Sequence, residues 1–175
     1  MALLFRAERK RKPMTDTFIF PATLEDDPES GETIASFRDV PATHTAAPNT
    51  ATSAQGDHMI ELRAAAMGAL EGGVARMITD REPLPTPSVP QPGDLLVPLR
   101  LRMAAKLALH RVCRERGIGP AELARRLGCG LREAQRLLDT THQTRIDRLA
   151  DAVQRLGGPI PTLAALTAET TAHHA

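Results

Sequence analysis

Apolar and polar residues alternate near the beginning of the chain and take up helical spacing further along it. Two short segments rich in Thr, Ile, Phe and Val, residues 16–26 and 32–40, flank the turn sequence Asp-Pro-Glu-Ser-Gly. This pattern predicts a β-hairpin. Residues 42–57, rich in Thr, Ala, Asn and Pro, fit either a third short strand or a loop. We expect the apolar contacts of the hairpin to come mainly from Phe18, Phe20, Ile34 and Phe37.

Helical spacing begins at Met59 and extends to Thr79, with Asp57 at the position expected for an N-cap. Three glycines within this segment either weaken the helix or let it lie close to the sheet. The glycines are Gly68, Gly72 and Gly73, and the apolar positions that define the helix are Ile60, Met67, Leu70, Val74, Met77 and Ile78.

A proline-rich connector, residues 83–98, then interrupts the regular spacing. Its last part, "DLLVPL", is compatible with one more strand, which Pro98 restricts to an edge or an end of a sheet. We therefore place the boundary between two units of the chain at this connector.

After the connector the pattern is helical throughout. A first helix stops at Gly117, a second begins at Pro120, and two more follow in "LREAQRLLD" and "RIDRLADAVQRLG". The predicted fold is an α+β unit over residues 14–82, a small antiparallel sheet with one helix, followed by an all-α unit over residues 99–158. For residues 1–13 we predict a disordered basic extension, with Met14 as an alternative first residue of the protein. For residues 159–175 we predict a flexible tail.

The second and third of these helices meet at Gly-Cys-Gly, residues 128–130, which favours a sharp turn. Counted from Pro120, Ala124 is fifth, where two helix backbones approach closely, and Gly128 is ninth, where the turn needs a positive φ. Helical spacing resumes after the turn at Leu131, Ala134, Leu137 and Leu138. This arrangement indicates a helix-turn-helix.

The outward side of the third helix carries side chains suited to DNA. Arginine binds guanine and glutamine binds adenine in the major groove, and further arginines neutralise phosphates. Because two half-sites each need a reading helix, a homodimer or tetramer is expected. The alternative is a helical bundle whose charged face is only solvated. The predicted DNA-binding residues are Arg125, Gly130, Arg132, Gln135, Arg136, His142, Gln143 and Arg145.

Charge divides the chain in the same way. Residues 14–98 contain 4 Arg and 13 Asp or Glu, whereas residues 99–158 contain 13 Arg or Lys and 6 Asp or Glu. A basic unit suits a polyanion such as DNA, and an acidic unit suits a basic protein. The acidic group Glu25, Asp26, Asp27, Glu29 and Glu32 occupies one turn-rich stretch, which is more typical of solvated carboxylates than of a magnesium site.

Other chemistry is sparse. The two cysteines, Cys113 and Cys129, have no CxxC partner and fit reduced thiols in a cytoplasmic protein. The six histidines are scattered and predict no metal site, and we expect His110 to be a partly buried helix residue. No apolar run is long enough to span a membrane, and no cofactor or nucleophile motif appears. We therefore predict a protein that is not an enzyme and binds no cofactor.

Taken in order, these parts resemble the HicB family of antitoxins. The resemblance rests on "FPATLEDDPESGETIASFRDVP", the "QGD" that leads into a helix, and "PLPTPS", followed by "KLALHRVCRERGIGPAELARRLG", "RLLD" and "RIDRLADAVQRLG". It covers residues 17–158. One departure is the segment "RDVPATHTAAPNTATSAQGD", which is longer than its counterpart in the family and lacks that counterpart's glycine.

The resemblance implies a partial RNase H-like domain without that enzyme's catalytic carboxylates. It also implies a small basic partner, an mRNA-cleaving HicA-like toxin, and an operator DNA that the helix-turn-helix binds to repress the shared operon. The toxin-side residues expected from it are Phe37, Asp39 and Val40, with Asp26 and Asp27 on the acidic hairpin, although Phe37 fits the core equally well.

Two other interpretations stay open from sequence. One is a transcriptional repressor without a toxin, whose first unit senses a ligand or only dimerises. The other is an active RNase H-like nuclease that uses Asp26 or Asp27.

Overall fold

The computed structural model describes residues 18–48 and 55–159, and for residues 55–57 the backbone alone. The predictions for residues 1–13, for Met14 and for the tail after residue 159 concern residues outside these ranges. Within the described part, four strands and one long helix precede four shorter helices. The buried apolar residues of both parts form one continuous core.

The sheet is built around the predicted hairpin. Strand β1 (Ile19–Asp27) pairs antiparallel with β2 (Glu32–Phe37), and β2 pairs with β3 (His44–Pro48), so the third strand is present. Alternate residues face the core, because side chains along a strand point to opposite faces. Phe18, Phe20 and Phe37 are buried as expected, whereas Ile34 lies on the opposite face and is only half-buried.

Helix α1 (Gln55–Thr79) covers the core face of the sheet. It begins two residues before Asp57, so the prediction of Asp57 as the N-cap is wrong and this residue belongs to the first turn. Of the three glycines, only Gly73 approaches the sheet unit closely. A Cβ added there would lie 2.2 Å from Thr43 Oγ1 and 2.7 Å from Val40 Cγ1, whereas Gly68 and Gly72 face open space.

The connector returns the chain to the sheet. Its end forms β4 (Leu95–Pro98), which pairs antiparallel with β1 at the edge of the order β3-β2-β1-β4. The edge strand compatible with the sequence is therefore present, and it belongs to the sheet of the first unit. Pro98 has no N–H to donate, and it is tolerated there because an edge strand has no neighbour on its outer side that would need this hydrogen bond.

Four helices follow in the described part of the chain, close to their predicted positions. They are α2 (Leu101–Glu115), α3 (Pro120–Leu127), α4 (Leu131–Leu138) and α5 (Ile146–Arg155). Two arginines of α2 fasten this helical unit to the first unit. Arg111 donates to the carbonyl of Pro85 and lies 5.3 Å above the ring of Phe18, and Arg114 donates to the carbonyl of Glu82.

Candidate nucleic-acid interface

The turn between α3 and α4 is closed by its own backbone. Gly128 has a φ of 64°, a left-handed conformation that favours glycine. The N–H of Cys129 donates to the carbonyl of Ala124 at 3.0 Å, as in the hydrogen-bond pattern that commonly ends helices at a glycine. Ala124 is buried, so its small side chain permits the close approach expected at this position. The turn therefore fixes the direction in which α4 leaves α3.

Helix α4 has a buried face and an exposed face. Ala134 and Leu137 are almost completely buried in the core, and Leu138 packs against it at the end of the helix. Arg132, Gln135 and Arg136 are exposed on the other side. No side chain caps the helix at Gly130, which leaves its first N–H groups open to solvent or to a ligand.

The charges of this exposed face differ in how they are paired. Within the described residues, the guanidinium groups of Arg132 and Arg136 have no hydrogen bond or ion pair. Glu133, the acidic residue of the helix, is paired with Arg148 of α5. Because the carboxylate is neutralised from the side, the two free arginines give the outward face a positive potential.

The loop between α4 and α5 adds to the same surface. Its buried Thr144 donates through Oγ1 to the carbonyl of Arg136 at 3.2 Å, and Nδ1 of His142 lies 3.1 Å from the same hydroxyl. These contacts hold the loop against α4. The structure thereby brings four predicted residues around one open cleft of about 210 Å³, namely Arg136, His142, Gln143 and Arg145.

Two of the predicted cations on this side have internal partners. Arg125 makes two hydrogen bonds, of 2.8 and 2.7 Å, to the carboxylate of Glu122, which also accepts one from Arg126. Hydrogen bonds from Arg125 and Arg126 lower the pKa of Glu122 to about 2. Arg145 is paired in the same way with Asp147. Both side chains are exposed, and exposed pairs of this kind are weak enough to exchange for phosphate.

The rear of α4 is held by two side chains of α2. The completely buried Lys106 donates to the carbonyl of Asp139, and Nε2 of His110 lies 2.8 Å from the carbonyl of Leu138. These carbonyls are at the end of the helix, where the dipole is negative and no helical N–H is available. Burial lowers the pKa of both Lys106 and His110 below their ordinary values. The prediction that His110 is a partly buried helix residue is confirmed.

The residues predicted on the toxin side lie in two different places. Phe37 and Val40 are buried in the core, so neither side chain is presented to a partner, and for Phe37 the core alternative is the correct one. Asp39 accepts hydrogen bonds from the backbone and the hydroxyl of Ser88, at 2.9 and 3.0 Å. It therefore anchors the connector, because the loop after β2 is turned inward against it.

The acidic hairpin remains at the surface. Asp26 accepts a hydrogen bond of 2.7 Å from Thr33, and Asp27 accepts from the backbone of Glu29 and the hydroxyl of Ser30. These two bonds lower the pKa of Asp27 and keep its carboxyl group charged, and the bond from Glu29 has the larger effect. In the described part of the chain, no group of three or more His, Cys, Asp or Glu side chains is arranged to hold a metal ion.

Sequence reasoning missed three residues of this region. Lys106 was not expected in the interior, since charge normally indicates exposure. Leu131 follows the spacing of the inward residues, yet its side chain is 49% exposed. Arg102 was not singled out, and it donates to the side-chain oxygen of Gln143. The described helices include none that is long and apolar enough to cross a membrane.

The described residues combine an antiparallel sheet that carries an acidic hairpin with a group of helices that presents a basic face. Comparison with known proteins assigns this chain to a family. Residues 19–108 match the profile of the family described as HicB_like antitoxin of bacterial toxin-antitoxin system. The chain belongs to this family.

Individual relatives extend the match beyond that profile. The chain is 32% identical to Antitoxin HicB of Pseudomonas fluorescens (strain Pf0-1) over 145 residues, which cover 82% of this chain and 93% of the relative. It is 33% identical to Antitoxin HicB 2 of Photorhabdus laumondii over 82% of this chain and 94% of the relative. Antitoxin HicB of Escherichia coli (strain K12) is 33% identical over 79% of this chain and 93% of its own length.

Proposed function

We propose that this protein is the antitoxin of a type II toxin–antitoxin pair and represses its own operon. In this account the first unit binds and neutralises a small basic HicA-like toxin that cleaves mRNA. The helical unit is a helix-turn-helix, with α3 and α4 as its two helices, and binds operator DNA. The family membership supports a non-enzymatic regulatory role of this kind.

The observation that carries the DNA-binding part is the outward face of α4. Arg132, Gln135 and Arg136 are exposed side by side, while Ala134 and Leu137 anchor the helix in the core. Arginine and glutamine are the residues that read guanine and adenine edges in the major groove. The backbone of the turn and the cleft beside His142 and Gln143 lie next to this face, where phosphates flank the groove.

A titration of the full chain against the DNA upstream of its own gene tests this proposal. We expect Arg136→Ala to weaken specific binding by about 1–3 kcal/mol if it contacts a base, or to reduce the salt slope by about one if it contacts a phosphate. The matched control is Arg155→Ala, which removes the same charge from α5, where the arginine is paired with Asp151. Equal binding by wild type and both variants would remove Arg136 from the interface.

The toxin-binding part rests on the acidic hairpin. Asp26 and Asp27 lie at the end of β1 beside three further carboxylates, Glu25, Glu29 and Glu32. A surface of this charge attracts a basic protein and accelerates the encounter. The buried Phe37 and Val40 are not part of this proposed surface.

A binding experiment with the small basic protein encoded beside this gene tests the hairpin. We expect the double variant Asp26→Asn/Asp27→Asn to associate more slowly and with a weaker dependence on salt. Asp80→Asn/Asp147→Asn is the control, because it removes the same charge at exposed positions outside the hairpin. Identical association rates for the two double variants would contradict the assignment of the hairpin.

Operator binding of this type also predicts the assembly. A reading helix spans one half-site, and dimers place two of them about 34–36 Å apart on the same side of the duplex. We therefore propose a homodimer or a tetramer in solution. A strict monomer in light scattering at micromolar concentration would contradict this assignment.

A further inference from the structure

We propose that Leu131 is a specificity-determining residue of this protein and that it contacts the C5 methyl group of a thymine in the operator. This inference rests on the DNA binding proposed above and goes beyond it by naming a base and an atom. It starts from the exposed position of a large apolar side chain.

Leu131 does not serve the core. Its side chain is 49% exposed, whereas Ala134 and Leu137 of the same helix are 0% and 2% exposed. The inward face of α4 is thus complete without it. Among the exposed large apolar side chains of the described residues, Leu131 alone belongs to α4, the others being Met59, Ile60, Val89 and Ile146.

Its position is at the front of the exposed face. Leu131 is the first residue of α4, it is followed by Arg132, and Gln135 lies one turn further along the same side. The residue before it is Gly130, which has no side chain, and a Cβ added to Gly128 or to Gly130 would meet no atom within 4 Å apart from those of its chain neighbours. Neither glycine of the turn therefore carries a side chain that would cover the leucine.

The surrounding charge selects the partner. Arg132 and Arg136 carry no intramolecular partner in the described part of the chain, so a polyanion is the ligand that complements this face. A leucine cannot hydrogen-bond to a phosphate or to a base edge. In the major groove the apolar group offered by the bases is the C5 methyl of thymine. Leu131 would therefore discriminate thymine from cytosine by apolar contact.

Removal of single methyl groups from DNA tests this contact. The full chain first selects a preferred duplex from a randomised double-stranded library, and each thymine of that duplex is then replaced in turn by deoxyuridine, which lacks only the methyl group. For the wild type we expect one position per half-site at which this replacement weakens binding about fourfold. That factor equals about 0.8 kcal/mol, the value of one buried methyl-sized group.

Two substitutions at the same position then link the methyl group to the side chain. We expect Leu131→Ala and Leu131→Gln to bind the thymine and deoxyuridine duplexes equally well, so that the fourfold difference disappears. Val89→Ala, which shortens an 84% exposed side chain in the connector, is the control and keeps the full difference. Leu131 is 49% exposed and lies outside the cluster of buried core residues, so both variants leave the buried core residues unchanged.

The outcomes separate this inference from the proposal on which it rests. The contact is supported if binding by the wild type and by Val89→Ala is sensitive to the methyl group and binding by the two Leu131 variants is not. A selected duplex without any sensitive thymine, or a sensitivity that persists in Leu131→Ala, overturns the contact and leaves DNA binding in place. A chain that enriches no sequence from the library overturns the proposed DNA binding and this inference with it.

Discussion

The loop after β2 and the first turn of α4 have similar sequences and opposite structures. The last residue of β2 and the loop after it read Phe-Arg-Asp-Val, and the helix begins Leu-Arg-Glu, so each combines apolar and charged residues. In the loop the apolar side chains are buried, Arg38 is paired with Asp94, and Asp39 is bonded to Ser88. On α4 the leucine is exposed, and Arg132 has no partner among the described residues.

The difference shows what makes a charged residue available for function. Both segments contain residue types typical of interaction surfaces, and in the loop they hold the connector against the sheet. On α4 both Leu131 and Arg132 are exposed, and Arg132 has no ion pair among the described residues, whereas Glu133 is paired with Arg148. The type of a residue alone does not show that it belongs to an interface, because a charged side chain with an intramolecular partner must lose that partner before it binds another molecule.

The largest effect that the comparison predicts is on DNA affinity. Replacing both Arg132 and Arg136 by alanine removes two contacts worth about 1–3 kcal/mol each, so specific binding should fall by roughly 30-fold or more. Because neither guanidinium has an internal partner in the described residues, we expect the free energy of unfolding to change by less than about 0.5 kcal/mol. Fluorescence anisotropy and urea denaturation measure the two quantities. A marked loss of stability would show that these arginines are structural, like those of the loop.

The second prediction concerns the support behind the exposed face. Lys106→Ala leaves a cavity and removes the donor to the carbonyl of Asp139, and we expect it to destabilise the fold by about 2–5 kcal/mol in urea denaturation. Lys106→Met keeps most of the volume and should cost less, about 1.5–3 kcal/mol for the lost charge-assisted hydrogen bond, because the carbonyl of Asp139 still accepts the N–H of His142 at 3.3 Å. Two variants as stable as the wild type would mean that Lys106 does not hold α4.

The third prediction examines how tightly the loop is packed. Gly73→Ala places a Cβ against Val40 and Thr43, and we expect a loss of about 1–3 kcal/mol of stability from overpacking. Gly72→Ala, one residue earlier, faces open space and should stabilise the same helix by up to about 1 kcal/mol. We expect the midpoint of thermal unfolding to fall for Gly73→Ala and to rise for Gly72→Ala. Stabilisation by both substitutions would contradict the close contact between α1 and the loop.

The smallest effect is a pH dependence at the rear of α4. Burial, together with Arg114 and Lys106 nearby, lowers the pKa of His110 below its ordinary value of 6.5. The unfolded chain then takes up the proton first, so stability is present above pH 6.5 and is lost as the pH falls toward the folded pKa. The slope from this group is at most about 1.4 kcal/mol per pH unit.

A substitution at His110 isolates that contribution. His110→Gln keeps an N–H donor for the carbonyl of Leu138 but does not titrate, so its stability should depend less on pH between 7 and 5 than that of the wild type. His44→Gln, at an exposed position on β3, is the control for the same substitution outside this contact. Parallel curves for the wild type and His110→Gln would contradict a neutral buried histidine.

Local pattern predicted most of the elements and failed at particular residues. The hairpin followed from alternation around a turn sequence, and α3 and α4 followed from helical spacing around Gly128 and Gly130. The N-cap at Asp57 was wrong because α1 begins at Gln55, before the first residue with clear apolar spacing. Strand β3 remained an alternative because "HTAAP" contains one β-branched residue, and pairing with β2 decides its conformation.

The site was predicted less completely than the fold, since exposure depends on distant contacts. Helical spacing alone does not reveal that Leu131 lies beyond the packed part of α4. The burial of Lys106 depends on the carbonyl of Asp139, which lies 33 positions away in sequence. The pairing of Asp39 with Ser88 likewise joins segments 49 positions apart. Such contacts become visible only when the chain is folded.

The central claim is that one chain joins a toxin-binding unit to a DNA-binding unit. Affinity purification of the tagged full chain from its native cells, followed by mass spectrometry of the bound proteins, tests it most directly. We expect one small basic protein in stoichiometric amount, which cleaves mRNA once it is released from the chain. Recovery of the chain alone, still able to bind its own upstream DNA, would contradict the account and leave a repressor without a toxin.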